Sequence, residues 1–166
     1  MPWRLSGVTA MDELPIRELE EEDGPRELIA ALRSQKIVGG HSDLAVALAE
    51  VVELLDVPAG ETLIRQGDTT NDMFMLLSGA LSIQVDGAEV ARRYPGYHVG
   101  EQALIDPFPK RTATVVTVEP SMLCRVTEEQ VDRIARQYPV IWKNIARELS
   151  RRLVEQNEAS EPFRRV

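Results

Sequence analysis

Asp86-Gly87 lies between Ser82-Ile83-Gln84-Val85 and Ala88-Glu89-Val90. A two-residue connection of this composition closes an antiparallel hairpin, because a type I′ turn needs positive φ at both central positions and Asp-Gly adopts it readily. Around that hairpin the apolar residues keep a period of two from Glu61 onward, which predicts strands over 62–65, 73–77, 80–85, 89–94, 112–118 and 122–126. Ser78-Gly79, Pro95-Gly96 and Glu119-Pro120 mark the turns between them. Short antiparallel strands spaced so closely suggest a small barrel or jelly roll. Met73, Phe74 and Met75 read as core packing within it.

The flanks have the helical period instead. Leu28, Ile29 and Leu32 give residues 26–36 one apolar face, and Gly39-Gly40 breaks that helix. Ser42 or Asp43 can cap a second helix carrying Leu44, Leu48, Val51, Val52 and Leu55 on one side. After the strands, Thr127 and Gln130 have capping-box spacing. Pro139 stops that helix and can open the next, where Ile141, Ile145, Leu149 and Leu153 recur every four residues. The chain thus divides into a leader over 1–24, a folded unit over 25–157 with strands at about 58–127 and closing helices at about 128–157, and a polar tail or linker over 158–166.

With 166 residues the chain can build one domain with a core, with helical extensions. Its net charge of −8 argues against nucleic acid as a partner. From Asp12 to Asp23, Asp12, Glu13, Glu18, Glu20, Glu21, Glu22 and Asp23 face Arg17 alone, the pattern of a solvated arm or loosely attached helix, or of a docking surface. No apolar run approaches the ~20 residues a membrane span needs, and Met1-Pro2-Trp3-Arg4 does not open a signal peptide. A cytoplasmic protein without membrane contact is expected. Cys124 is the single cysteine, within Met122-Leu123-Cys124, and reads as a buried inert thiol. The only histidines are His41 and His98, too few for a metal-binding barrel, and no nucleophile with its base and no GxxxxGK[ST] loop is present. Neither catalysis nor a metal or cofactor is expected.

The stretch Gly100-Glu101-Gln102-Ala103-Leu104 through Lys110-Arg111-Thr112-Ala113-Thr114-Val115 carries the chemistry. Gly100 permits a tight turn, Gln102 and Ala103 offer backbone N–H groups at a helix start, and Arg111 returns to meet an anion placed there. Lys110 would face outward, since neighbours entering a strand point opposite ways. Glu101 would repel an anion unless it accepts from an uncharged donor beside it, such as a ribose 2′-hydroxyl; its plainer role is to stabilise a helix N-terminus. The combination is suited to a sugar phosphate. Thr112 can reach a phosphate oxygen or a base edge, or serve as an ordinary strand residue. Val99 and Leu104 are candidates to line the cavity, and Trp142, Arg147 and Arg152 on the last helix to cover a base.

Gly100-Glu101 followed by Arg111-Thr112-Ala113-Thr114-Val115 resembles the phosphate-binding cassette of cyclic-nucleotide-binding domains. Pro58-Ala59-Gly60-Glu61, Ile64-Arg65-Gln66-Gly67-Asp68, Met73-Phe74-Met75-Leu76-Leu77-Ser78-Gly79 and Tyr138-Pro139 extend the resemblance, in the family's order, over roughly residues 35–157. It implies a mainly β fold with flanking α: an eight-stranded antiparallel, jelly-roll-like β-roll with N-terminal helices and a C-terminal lid helix, whose ligand is a 3′,5′-cyclic mononucleotide. His98-Val99-Gly100-Glu101 and the helix from Tyr138-Pro139-Val140-Ile141-Trp142 onward are similar to the regulatory modules of bacterial antiphage Pycsar-type TIR effectors, which answer cyclic UMP or cyclic CMP. That likeness implies a regulatory fragment with an NAD-cleaving TIR domain beyond Val166. A homodimer through Leu44, Leu48, Leu55, Ile145, Leu149 and Leu153 is a further expectation. The alternatives are a stand-alone cAMP- or cGMP-binding regulator and a β-roll interaction module that binds no nucleotide.

Overall fold

The computed structural model describes residues 24–106 and 110–160. Two helices lead, α1 (Gly24–Arg33) and α2 (Ser42–Ala49). Eight strands follow: β1 (Glu53–Val57), β2 (Thr62–Ile64), β3 (Met73–Ser78), β4 (Leu81–Val85), β5 (Ala88–Arg93), β6 (His98–Val99), β7 (Thr114–Thr117) and β8 (Ser121–Val126). A single 3-10 turn, Glu101–Leu104, separates β6 from β7, and α3 (Glu128–Gln137) and α4 (Val140–Ser160) close the chain. The strands form two four-stranded antiparallel sheets, ordered β1-β8-β3-β6 and β2-β7-β4-β5. This is the expected β-roll flanked by helices. Most of the leader and residues 161–166 lie outside the described residues, as do 107–109 within the cassette.

The β4–β5 turn has the geometry its sequence dictates: Asp86 has φ 51° and Gly87 φ 81°. Gln66 grips it, donating Nε2–H to Asp86 Oδ1 at 3.0 Å and accepting the Asp86 N–H at 2.8 Å. At α3 the capping box forms, the Thr127 hydroxyl accepting from Gln130 N–H at 3.2 Å and the Gln130 side chain from Thr127 N–H at 2.9 Å. Gln130 also donates to the Val51 carbonyl at 3.1 Å, so the cap fastens α3 to the α2–β1 connection.

The second helix is shorter than its apolar face predicts. It starts at Ser42 with His41 as N-cap, makes no side-chain cap bond and ends at Ala49. Residues 53–57 pair with β8 from Glu53↔Arg125 to Val57↔Ser121. Leu44, Leu48, Val51, Val52 and Leu55 fit a helical stripe, but the β-branched pair Val51-Val52 and an open edge on β8 favour extension. Leu54 then packs on one core and Leu55 on the other. β7 is also shorter than predicted, leaving Arg111, Thr112 and Ala113 outside the sheet.

Two cores meet along β3. Met73 and Met75 face the helices with Leu32, Leu44, Leu48, Ile141 and Ile145, whereas Phe74 and Leu76 face the inter-sheet space with Leu81, Val99, Val115 and Leu123. A strand buried on both sides has to be apolar throughout, as β3 is. Cys124 is buried beside Met75, and burial pushes its thiol up to about 12. Leu44, Leu48 and Ile145 are fully buried in the helical core, so they supply none of the surplus apolar surface invoked for a dimer.

Gly79 turns β3 into β4 with φ 98°, and a Cβ there would sit 2.7 Å from the Ser121 Cα. Backbone on backbone cannot yield cheaply. Gly79→Ala combines a left-handed strain with overpacking and should lower stability by about 2–4 kcal/mol, read as an earlier midpoint in urea denaturation. An unchanged midpoint would refute this account of the turn.

Candidate functional site

Where β6 ends, Gly100 adopts φ 90° and turns the backbone into the Glu101–Leu104 turn. A Cβ on Gly100 would lie 2.7 Å from the Asp72 carbonyl oxygen and 2.9 Å from Arg111 Nη1. Both conformation and space therefore require glycine here. Arg111 enters from the other side. Its backbone N–H donates to Asp68 O at 2.7 Å and its carbonyl accepts from Gly67 N–H at 2.8 Å, fixing where the side chain starts.

The Arg111 guanidinium donates to three neutral oxygens: Nε to Thr70 Oγ1 at 3.1 Å, Nη1 to Gly100 O at 3.1 Å and Nη2 to Asp72 O at 2.6 Å. It is 6% exposed. Burial pulls its proton affinity below the ordinary value, opposed by the charges of Asp72, Glu101 and Asp68. A guanidinium has five N–H bonds, so donors remain for another acceptor.

Glu101 is 2% exposed, and burial raises its carboxyl above the ordinary range, with Arg152 the strongest opposing influence. Arg152 reaches it from α4: Nη1 pairs with Glu101 Oε1, while Nη2 donates to the His98 carbonyl at 2.6 Å. A second contact, Arg93 to Glu155 at 3.6 Å, joins β5 to the same helix. Between roll and helix lies a cavity of about 530 Å3.

Gly100, Glu101, Gln102, Ala103, Arg111, Thr112, Val99 and Arg152 all line this cavity. The Thr112 hydroxyl donates to Gln102 Oε1 at 2.8 Å at its exposed rim, and Lys110 is exposed there too. Leu104, Trp142 and Arg147 are not among the lining residues. Leu104 is buried in the helical core, and Trp142 packs against that core. Arg147 is exposed, roughly half a turn around α4 from Leu149. The face that meets the cavity is Leu149, Arg152, Leu153 and Gln156, opposite Ile83, Val85 and Val90 on the β4–β5 hairpin. Of these, only Arg152 stands out in the sequence as a site candidate. The spacing of Leu149 and Leu153 is the one available signal, and core packing or a dimer contact produces the same spacing. Arg93 carries no sequence signal at all.

The ionisable lining residues are Arg93, Lys110, Arg111 and Arg152 against Glu101 and Asp106, an excess of cations in a chain whose net charge is −8. Such a cavity favours an anion, and its buried carboxylate suits a neutral hydroxyl next to that anion. Among the described residues no cluster of His, Cys, Asp and Glu could hold a metal ion, and no helix is long and apolar enough to cross a membrane.

The cyclic nucleotide-binding domain model matches residues 54–138. The chain belongs to the cyclic nucleotide-binding domain family. It is similar to the Pycsar effector protein BcPycTIR of Burkholderia cepacia, 41% identical over 143 residues that cover 86% of this chain and 47% of that protein. It thus spans about half the length of that curated relative. Among solved structures it is similar to the catabolite activator protein of Thermus thermophilus, 25% identical with a TM-score of 0.67 over 78% of this chain and 63% of that one. The regulatory domain of Toxoplasma gondii PKA with cAMP shares the fold, at 19% identity and a TM-score of 0.66 over 76% of this chain and 50% of that one. In this family setting Arg111 and Glu101 sit within the matched residues, whereas the α4 wall lies beyond them.

His98 borders the site from β6, 1% exposed and with neither ring nitrogen hydrogen-bonded among the described residues. Burial first, then the Arg152 and Arg93 charges, pulls its pKa from 6.5 to about 3. The unfolded chain takes a proton near 6.5 that the folded one refuses until about 3, so His98 costs stability progressively as pH falls through that window. The slope is about 1.4 kcal/mol per pH unit. His98→Leu should flatten the stability profile between the ordinary histidine value of 6.5 and about pH 5, compared with wild type by chemical denaturation. Parallel profiles would show that His98 does not stay neutral in the folded state.

Proposed function

We propose that this domain senses a 3′,5′-cyclic mononucleotide, a cyclic pyrimidine nucleotide (cUMP or cCMP), on behalf of a TIR-type NAD-cleaving domain in a bacterial antiphage effector. The observation that carries the nucleotide reading is Arg111: a buried cation held by three neutral oxygens, with donors left over, on the wall of a cavity. The cyclic phosphate is a monoanion, and two N–H bonds of one guanidinium can grip it. Glu101 accepts the ribose 2′-hydroxyl, the backbone at Gln102 and Ala103 and the Thr112 hydroxyl complete the phosphate end, and the base lies among Val85, Val90, Leu149 and Leu153. The effector context is supported by the 41% identity to a Pycsar effector protein.

The signal is a difference in affinity between two positions of α4, since a ligand that binds both equally shifts nothing. The folded unit is taken as residues 25–157, in the cytoplasm, with no cofactor and no nucleic-acid partner. A homodimer belongs to the same proposal and rests on the apolar residues α4 leaves exposed, Leu153 at 59% and Val154 at 52%. Light scattering of the purified chain at micromolar concentration should give twice the monomer mass, and a monomer removes the dimer.

Calorimetric titration with cUMP, cCMP, cAMP and cGMP tests the main reading. A cyclic pyrimidine should bind tightest; cAMP binding alone would make the domain a purine-dependent regulator, and no binding would leave an interaction module. Arg111→Ala should fold yet lose the ligand, because breaking a buried charge pair costs on the order of 3–5 kcal/mol. Unchanged affinity in that folded variant would dismiss the phosphate site. In the whole effector the same cyclic pyrimidine should start NAD cleavage.

A further inference from the structure

We infer that Gln66 is a positioning residue for base selection, because its side-chain amide ties the tip of the β4–β5 hairpin to the segment that carries Arg111. The tie sets how far the base wall stands from the phosphate end. The inference rests on the nucleotide reading above and adds to it a residue outside the lining of the 530 Å3 cavity, which therefore acts through what it holds.

β4 pairs with β7 from Leu81↔Thr117 to Gln84↔Thr114, whereas its pairing with β5 runs on to Val85↔Ala88. The end of the hairpin is thus a two-stranded ribbon beyond the sheet. β5 is the edge strand of the order β2-β7-β4-β5, so the ribbon has no further strand beside it. Two strands alone have little stability, and such a tip swings unless something holds it. Val85 lies in the ribbon and Val90 on its edge strand, and both line the cavity together with Ile83. Where the tip stands decides the room left opposite Leu149 and Leu153.

Gln66 is suited to hold the tip because its own backbone is fixed to the returning limb of the cassette. Its N–H donates to Thr114 Oγ1 at 2.9 Å. The next N–H, that of Gly67, donates to the Arg111 carbonyl at 2.8 Å, and the Arg111 N–H donates to Asp68 O at 2.7 Å. The base of the side chain cannot drift relative to Arg111. From there Nε2–H donates to Asp86 Oδ1 at 3.0 Å, and Oε1 accepts the Asp86 N–H at 2.8 Å. Two bonds to one turn residue fix direction as well as distance. The phosphate end and the base wall are thereby held to one another across the mouth of the roll, without passing through α4.

A tie that served stability alone would lower the urea midpoint and leave base preference unchanged. The experiment is calorimetric titration of cUMP, cCMP, cAMP and cGMP into wild type, Gln66→Ala, Gln66→Glu and the double variant Gln66→Glu/Asp86→Asn, each checked for folding by circular dichroism. The quantity read is the affinity ratio between the best-bound pyrimidine and the best-bound purine. Gln66→Ala should bring that ratio about fivefold or more closer to one, the worth of one net hydrogen bond. Gln66→Glu should do the same, since it sets a second carboxylate against that of Asp86. In the double variant Asn-Gly suits the same type I′ turn and its amide can donate to the new carboxylate, so most of the ratio should return. A folded Gln66→Ala that keeps the full ratio overturns the inference, as does equal loss of all four nucleotides or a double variant no better than Gln66→Glu. Where Gln66→Ala does not fold, Gln66→Glu with and without Asp86→Asn decides. Wild type that binds pyrimidines and purines alike overturns it and leaves the nucleotide reading standing; wild type that binds no cyclic nucleotide ends both.

Discussion

At the cavity end of the roll, one buried cation links segments that no strand pairing joins. Arg111 collects the Thr70 hydroxyl and the Asp72 and Gly100 carbonyls, which belong to the β2–β3 connection and to the turn after β6. These segments have no strand pairing at those points, so their backbone oxygens need donors from elsewhere. The guanidinium supplies donors in a fixed fork, which a lysine could not match. The arrangement leaves a buried positive charge with only neutral direct partners. Folding has drawn that charge out of water, an electrostatic cost that an anion bound as proposed would offset.

Gly100 is the complement of that cation. Its left-handed conformation aims its own carbonyl at Arg111 while its missing side chain leaves room for the Asp72 carbonyl and for Nη1. The same turn carries the Glu101 side chain into the cavity. Opposite charges thus stand on one wall without pairing to each other, because each has been given a different partner: carbonyls for Arg111, Arg152 for Glu101. Under the proposed function, this separation lets one wall meet a phosphate beside a hydroxyl.

What the sequence discloses follows from how local the determining interactions are. The Asp86-Gly87 turn, the Thr127/Gln130 capping box and the doubly buried β3 are set within a few residues and are legible. The grouping of Gly100, Glu101 and Arg111 is legible as well, since they stand at a short separation in sequence and line one cavity. β1 is hidden because its apolar residues satisfy a helical stripe equally well, and the open edge of β8 that decides the matter lies about seventy residues away in sequence. β6 is a two-residue pairing, too short for any period. The cavity wall on α4 is hidden for a related reason: Ile141, Ile145, Leu149 and Leu153 form one continuous stripe, but half of it meets the helical core and half the pocket.

That division gives α4 two mechanical parts. Ile141 and Ile145 are fully buried, and the Asn144 side chain donates to the Ile37 carbonyl at 2.9 Å, so the first turns are fastened to the α1–α2 segment. Beyond Leu149 the helix meets the roll through Arg152, through Glu155 with Arg93, and through Leu153, which is itself 59% exposed. Polar contacts across a solvated cavity are exchanged at far lower cost than a packed core is opened. A ligand that takes up space in the cavity and hydrogen bonds on Glu101 acts on the loosely held half and leaves the fastened half as its pivot. Under the proposed function, the fastened first turns are the pivot and the distal half of α4 is the part that changes position.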